Sequence, residues 1–180
     1  MRYVAFLRGM NLGNRRIKND ELRAEFERLG FAEVATFRAS GNVIFDLKGG
    51  GKEPAIAARI EAGLQDGLGY AVPVFLRTAA EVAAIATEQP FDAKLVEASK
   101  GKLQVSLLAQ KPAAKARKAV LALATEEDRL AISGRELFWL PSGGLLESEL
   151  DLRAIEAALG PDTRRTMGTI EQIAEKYCRG

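Results

Sequence analysis

Histidine is absent, cysteine and tryptophan occur once each, and no stretch approaches the roughly 18 apolar residues that a membrane-spanning helix needs. Without imidazole the chain lacks the usual general base at neutral pH, the histidine of serine and cysteine triads, and most zinc-ligand sets. The single thiol, Cys178, excludes an intrachain disulfide and cannot by itself complete a soft-metal site. No metal and no cofactor are therefore expected. A lone cysteine, together with first residues that read as a strand and carry no basic, apolar leader, points to a reducing, cytoplasmic setting. Net charge is only +2 over 180 residues, which does not favour nucleic acid as a partner and signals no attraction to a membrane surface. Oligomeric state is left open by the sequence.

The apolar fraction of 47% is enough for a substantial core, and its spacing marks the elements. Tyr3 to Leu7 reads as a strand buried on both faces. A helix follows from Asn19-Asp20-Glu21, with Leu22, Phe26 and Leu29 on one stripe and Gly30 closing it. Val34 to Arg38 and Val43 to Leu47 form a hairpin through Ser40-Gly41-Asn42. Pro54 starts a second helix that runs down to Gly69, and Tyr70 to Leu76 is a fourth strand. Residues 79–98 look helical with a break at Pro90. The order then recurs: strand Leu103 to Ala109, helix Pro112 to Ala124, a hairpin about Gly134 between Arg129 and Leu140, helix Leu150 to Leu159, strand Thr163 to Met167. Thr169 to Tyr177 is a closing helix with Ile170 and Ile173 turned inward. The expectation is an α+β chain of two ferredoxin-like (β-α-β-β-α-β) subdomains with antiparallel sheets, residues 1–77 and 78–180. The duplication is one of element order, without a letter-by-letter repeat.

Two polar turns stand out as a candidate site. The loop Arg8-Gly9-Met10-Asn11-Leu12-Gly13-Asn14, followed by Arg15, Arg16 and Lys18, combines glycines that let the backbone approach a ligand with amide groups and cations suited to an anion. It has neither the Walker nor the dinucleotide spacing, and its plain alternative is a strand-to-helix connection with solvated arginines. The second turn, Arg38-Ala39-Ser40-Gly41-Asn42, offers hydrogen-bonding groups. Ser40 has no histidine to activate it as a nucleophile. Pro141-Ser142-Gly143-Gly144 reads as a turn, and Trp139 as core.

Tyr3 to Gly13, Leu22 to Phe31 and Ser40 to Phe45 together resemble the opening of the bacterial domain-of-unknown-function family 1697, whose pattern is LRGINVGG, a lysine before the helix and a later SGNVVF. Arg8, Gly9, Asn11, Gly13, Lys18, Ser40, Gly41 and Asn42 fall on that pattern, while Asn14 replaces a usual glycine and Asn19 a usual methionine. Further on the likeness loosens. Ser148 and Leu150 match a Gly-x-Gly-x-Ser-Lys-Leu segment, with Glu149 where lysine is usual; Thr163, Arg165 and Thr169 match a C-terminal segment in which Thr166, Met167 and Gly168 replace Asn, Trp and Asn. The resemblance implies two ferredoxin-like subdomains, adds Ser148, Arg165 and Thr169 to the candidate ligand-binding residues, and implies no activity.

Three functions follow from different classes: a protein binding a small anionic, nucleotide-like or phosphate-bearing molecule; an enzyme on the same site, with Lys18 or Glu21 as base; or a nucleic-acid or protein interaction module. The first leads, because charge argues against the third and missing histidine against the second. Arg8, Asn11, Lys18, Ser40, Asn42 and Arg165 are expected to line one cleft, Arg165 only if the two halves face each other.

Overall fold

The computed structural model describes residues 1–10, 16–39 and 41–180, so Asn11, Gly13 and Ser40 of the candidate site lie outside the described residues. Among these, two four-stranded antiparallel sheets and seven α-helices make an α+β chain. Its contacts divide into two compact units, Met1–Ile85 with Ile173–Gly180, and Ala86–Gln172.

The first unit contains β1 (Arg2–Leu7), α1 (Asn19–Arg28), β2 (Ala32–Thr36), β3 (Asn42–Asp46), α2 (Glu53–Leu68), β4 (Val74–Thr78) and α3 (Ala79–Ala86), with sheet order β2-β3-β1-β4. Because side chains alternate along a strand, Tyr3, Ala5 and Leu7 of β1 share one face with Val43 and Phe45 of β3 and Val74 and Leu76 of β4. That face meets Leu22 and Phe26 of α1 and Ile56, Ile60 and Leu64 of α2 in one core. Val4, Phe6, Ile44 and Phe75, of the opposite phase, are buried as well, which explains the near-continuous apolar run of β1. The two helices approach closely because α2 carries glycine at the contact: a Cβ on Gly63 would lie 2.4 Å from Leu29 Cδ2. Gly30 closes α1 as expected: it follows Leu29 with φ of 89°, its amide donates to Glu27 O at 3.0 Å and the Phe31 amide to Phe26 O at 3.3 Å.

The second unit contains α4 (Ala93–Ala98), β5 (Gln104–Leu108), α5 (Ala114–Leu121), β6 (Asp128–Ser133), β7 (Glu136–Pro141), a 3-10 turn (Leu145–Glu147), α6 (Leu152–Leu159), β8 (Asp162–Thr166) and the start of α7 (Met167–Tyr177), with sheet order β6-β7-β5-β8. Leu108, Ile132 and Leu137 from the sheet pack with Val120 of α5 and Ile155 and Leu159 of α6. Asp151 starts α6 by accepting the Ala154 amide at 3.0 Å, which moves that helix two residues past the Leu150 expected from the apolar pattern.

Each sheet repeats the other residue for residue in its central register. In β1, Val4 faces Ile44 and Arg77; in β5, Val105 faces Phe138 and Arg165. The Leu7 amide donates to Gly41 O at 2.8 Å, and the Leu108 amide donates to Arg135 O at 2.9 Å, one residue ahead of β3 and β7 respectively. Thr78 and Thr166 then end the fourth strand and cap the next helix, accepting from the Glu81 amide at 3.1 Å and the Thr169 amide at 3.2 Å. Behind them Val82 and Ile85 match Ile170 and Ile173 in spacing and are all buried. The chain therefore carries a short sequence repeat, Arg-Thr followed by two spaced apolar residues, that composition and element order had concealed.

Several boundaries differ from the periodicity for local reasons. The fourth strand starts at Val74 because Pro73 has no amide to give the ladder. The segment 79–98 is two helices, α3 and α4, separated around Pro90. Met167, expected to end a strand, already belongs to α7, which starts two residues before the expected Thr169 because Thr166 caps there.

Candidate functional site

Three segments meet at the end of the first sheet where β1 finishes. The Leu7 amide reaches the carbonyl of Gly41, and the Arg8 amide donates to Pro73 O at 3.1 Å, so the β1 loop starts between the hairpin turn and the entry to β4. Gly9 and Gly41 have φ of 72° and 78°, a left-handed region costly for other residues. Space reinforces the choice at Gly41, where a Cβ would lie 2.8 Å from Met10 Cγ and 3.0 Å from Leu7 Cβ. Arg38 is exposed, also left-handed (φ 59°), with its guanidinium carbon 5.4 Å from the centre of the Phe37 ring.

Asn42 has a different task from the contact residue that the sequence suggests. It is fully buried, and its Nδ2 donates to Phe37 O at 2.8 Å while the Phe37 amide donates to Asn42 O at 3.0 Å, so the side chain clamps the turn from inside. Lys18 is exposed and precedes α1 in an extended conformation without a side-chain capping bond. Asp20 and Glu21 occupy the first turn of that helix and complement its positive end.

Ser148, Arg165 and Thr169 belong to the second unit. Ser148 Oγ donates to Asp128 Oδ1 at 2.9 Å and accepts the Leu150 amide at 3.1 Å. The same Asp128 oxygen accepts from Trp139 Nε1 at 2.8 Å, so a buried carboxylate ties β6, β7 and the segment before α6 together. This hub borders a cleft of about 150 Å³ that also includes Ser142, Gly143 and Glu147. Sequence reading placed Trp139 in the core, where it is, but missed Asp128; its pairing opposite Pro141 puts it on the Trp139 face of the hairpin. Arg165 is buried, and Nη1 donates to Thr163 Oγ1 at 2.8 Å and to Arg164 O at 2.9 Å. Burial pushes its guanidinium down to about 10. Thr169 lies 3.0 Å from the Thr166 hydroxyl and serves the start of α7. Glu149, where the resembling family has lysine, is exposed.

Among the described residues no group of His, Cys, Asp and Glu side chains is placed to hold a metal ion, and no helix is long and apolar enough to cross a membrane. None of the curated proteins matches the chain. Among solved structures, a conserved bacterial protein from Streptococcus pneumoniae is similar over 99% of this chain and 98% of that one, with a TM-score of 0.73 at 18% identity, a likeness of fold. The family described as protein of unknown function (DUF1697) matches residues 1–138. A match over that much of the sequence, on the same Arg8-Gly9 and Gly41-Asn42 segments whose geometry is given above, means that the chain belongs to the DUF1697 family.

Proposed function

We propose that the first unit binds a small anionic molecule, nucleotide-like or phosphate-bearing, on the rim formed by the β1 loop and the hairpin turn. The observation that carries this reading is the Leu7 amide bond to Gly41 O, which joins two glycine-containing turns bearing Arg8 and Arg38 at one sheet end. Left-handed glycines let backbone amides approach an anion, and guanidinium groups add charge-assisted bonds. The units themselves we read as ferredoxin-like, supported by the β-α-β-β-α-β order and by the central placement of β1 and β5. A single thiol supports a cytoplasmic setting. The test is a thermal-shift screen of nucleotides, sugar phosphates and carboxylates on the full chain, because a ligand of the native state raises apparent stability. A rise with phosphate-bearing compounds that is lost in Arg8→Ala is expected; no rise with any anion overturns the reading.

A further inference from the structure

The last residues of the chain reach the hairpin turn of the first unit, to which they belong by contact. The Tyr177 ring stands edge-on to Phe37, centroids 6.3 Å apart and planes at 77°, the favoured geometry for two aromatic quadrupoles. The backbone at Tyr177 is fixed too: its carbonyl accepts from Arg2 Nη1 at 3.1 Å, and Arg2 is itself held by two bonds to Asp46, at 2.7 and 3.2 Å. Phe37 is in turn the residue that both backbone and side chain of Asn42 grip, and its neighbour is Arg38, whose guanidinium lies over the Phe37 ring. A connected path therefore leads from the β1–β3 ion pair through Tyr177 and Phe37 to the turn.

We propose that Tyr177 is a positioning residue that braces Phe37 and so keeps Arg38 presented at the rim; this rests on the anion-binding reading only for the ligand, not for the brace. The physical reason is population. A turn that samples other conformations offers its cation for only part of the time, and apparent affinity falls by that fraction. Arg38 has a left-handed backbone, which an unbraced arginine would leave readily.

The experiment compares the full chain with its Tyr177→Ala and Tyr177→Phe variants by amide hydrogen exchange and by titration with inorganic pyrophosphate. Exchange at the Phe37 amide should rise about 2- to 10-fold in Tyr177→Ala, the weight of one aromatic pair, with the Leu7 amide nearly unchanged. Tyr177→Phe, which keeps the ring, should restore the original rate. Pyrophosphate affinity should fall in Tyr177→Ala, by the factor by which the braced fraction falls, and recover in Tyr177→Phe. Unchanged exchange at Phe37, or equal acceleration at Phe37 and Leu7, overturns the brace. A wild-type chain that ignores pyrophosphate overturns the ligand reading instead, while exchange still decides the brace.

Discussion

Arg77 and Arg165 hold the same position in different sheets: each lies opposite a central valine, Val4 or Val105, and each donates from Nη1 to the carbonyl of its preceding residue at 2.9 Å. Both are buried. A guanidinium stays charged when buried better than an ammonium does, and its planar donors reach two acceptors at once.

Arg165→Lys should therefore destabilise the protein at neutral pH. The same burial that lowers Arg165 would lower the lysine in the folded state below its ordinary value of about 10.4. A buried cation with a depressed folded value favours unfolding while charged, so the variant should regain stability as pH rises toward the unfolded lysine's value. Urea midpoints measured from neutral to alkaline pH check the sign. A flat profile would contradict it.

Thr78→Ala and Thr166→Ala should each cost about 1 kcal/mol, the usual weight of an N-cap. Thr78 should cost more, because its hydroxyl also donates to the Glu81 carboxylate at 3.2 Å, beside the capping-box bond from the Thr78 amide to that oxygen at 3.4 Å, whereas Thr169 offers only a hydroxyl. Chemical denaturation of the two variants, read against wild type, gives the ranking.

Gly63 and Gly67 on α2 should respond oppositely to alanine. At Gly63 the new methyl meets Cγ and both methyls of Leu29 between 2.4 and 2.9 Å, which forces repacking and costs about 1–3 kcal/mol. At Gly67 it meets the carboxylate end of Glu25, a flexible group whose displacement gives up only its bonds to Arg28, so the better helix former should still add up to about 0.5 kcal/mol. Thermal melts of the two variants distinguish the cases.

Asp128→Ala should cost about 2–4 kcal/mol, since it strips the partner from Trp139 Nε1 and Ser148 Oγ together. Trp139 is the sole tryptophan, so its fluorescence reports the change without labelling. Ser148→Ala should shift the same emission less, because the indole bond survives.

The Arg2–Asp46 pair lowers the Asp46 carboxyl through its hydrogen bond to Arg2. A depressed carboxyl contributes stability above the unfolded value of about 3.9, and that contribution disappears as pH falls through the folded value. Both side chains are about a third exposed, so the effect should stay below about 1 kcal/mol and shrink in salt. Asp46→Asn should remove it, seen as a shallower loss of stability between pH 5 and pH 3 in acid unfolding, on the order of the full pair contribution.

Local features of this protein followed from the sequence because they depend on near neighbours. The unbroken apolar run from Tyr3 to Leu7, the stripe of Ile56, Ile60 and Leu64, and the glycine-rich turns each report a burial pattern or a backbone preference that a few residues carry by themselves. The pairing of the first turn with the second was also legible, since a β-α-β-β order places the end of β1 beside the start of β3. Tertiary structure decided what each polar group does there. Asn42 turns inward to Phe37, Asp128 collects Trp139 and Ser148, and Tyr177 closes on Phe37 from the far end of the chain. Those outcomes depend on register and burial between residues distant in sequence, where one step along a strand reverses the face a side chain occupies and where desolvation sets whether a polar group must find an internal partner.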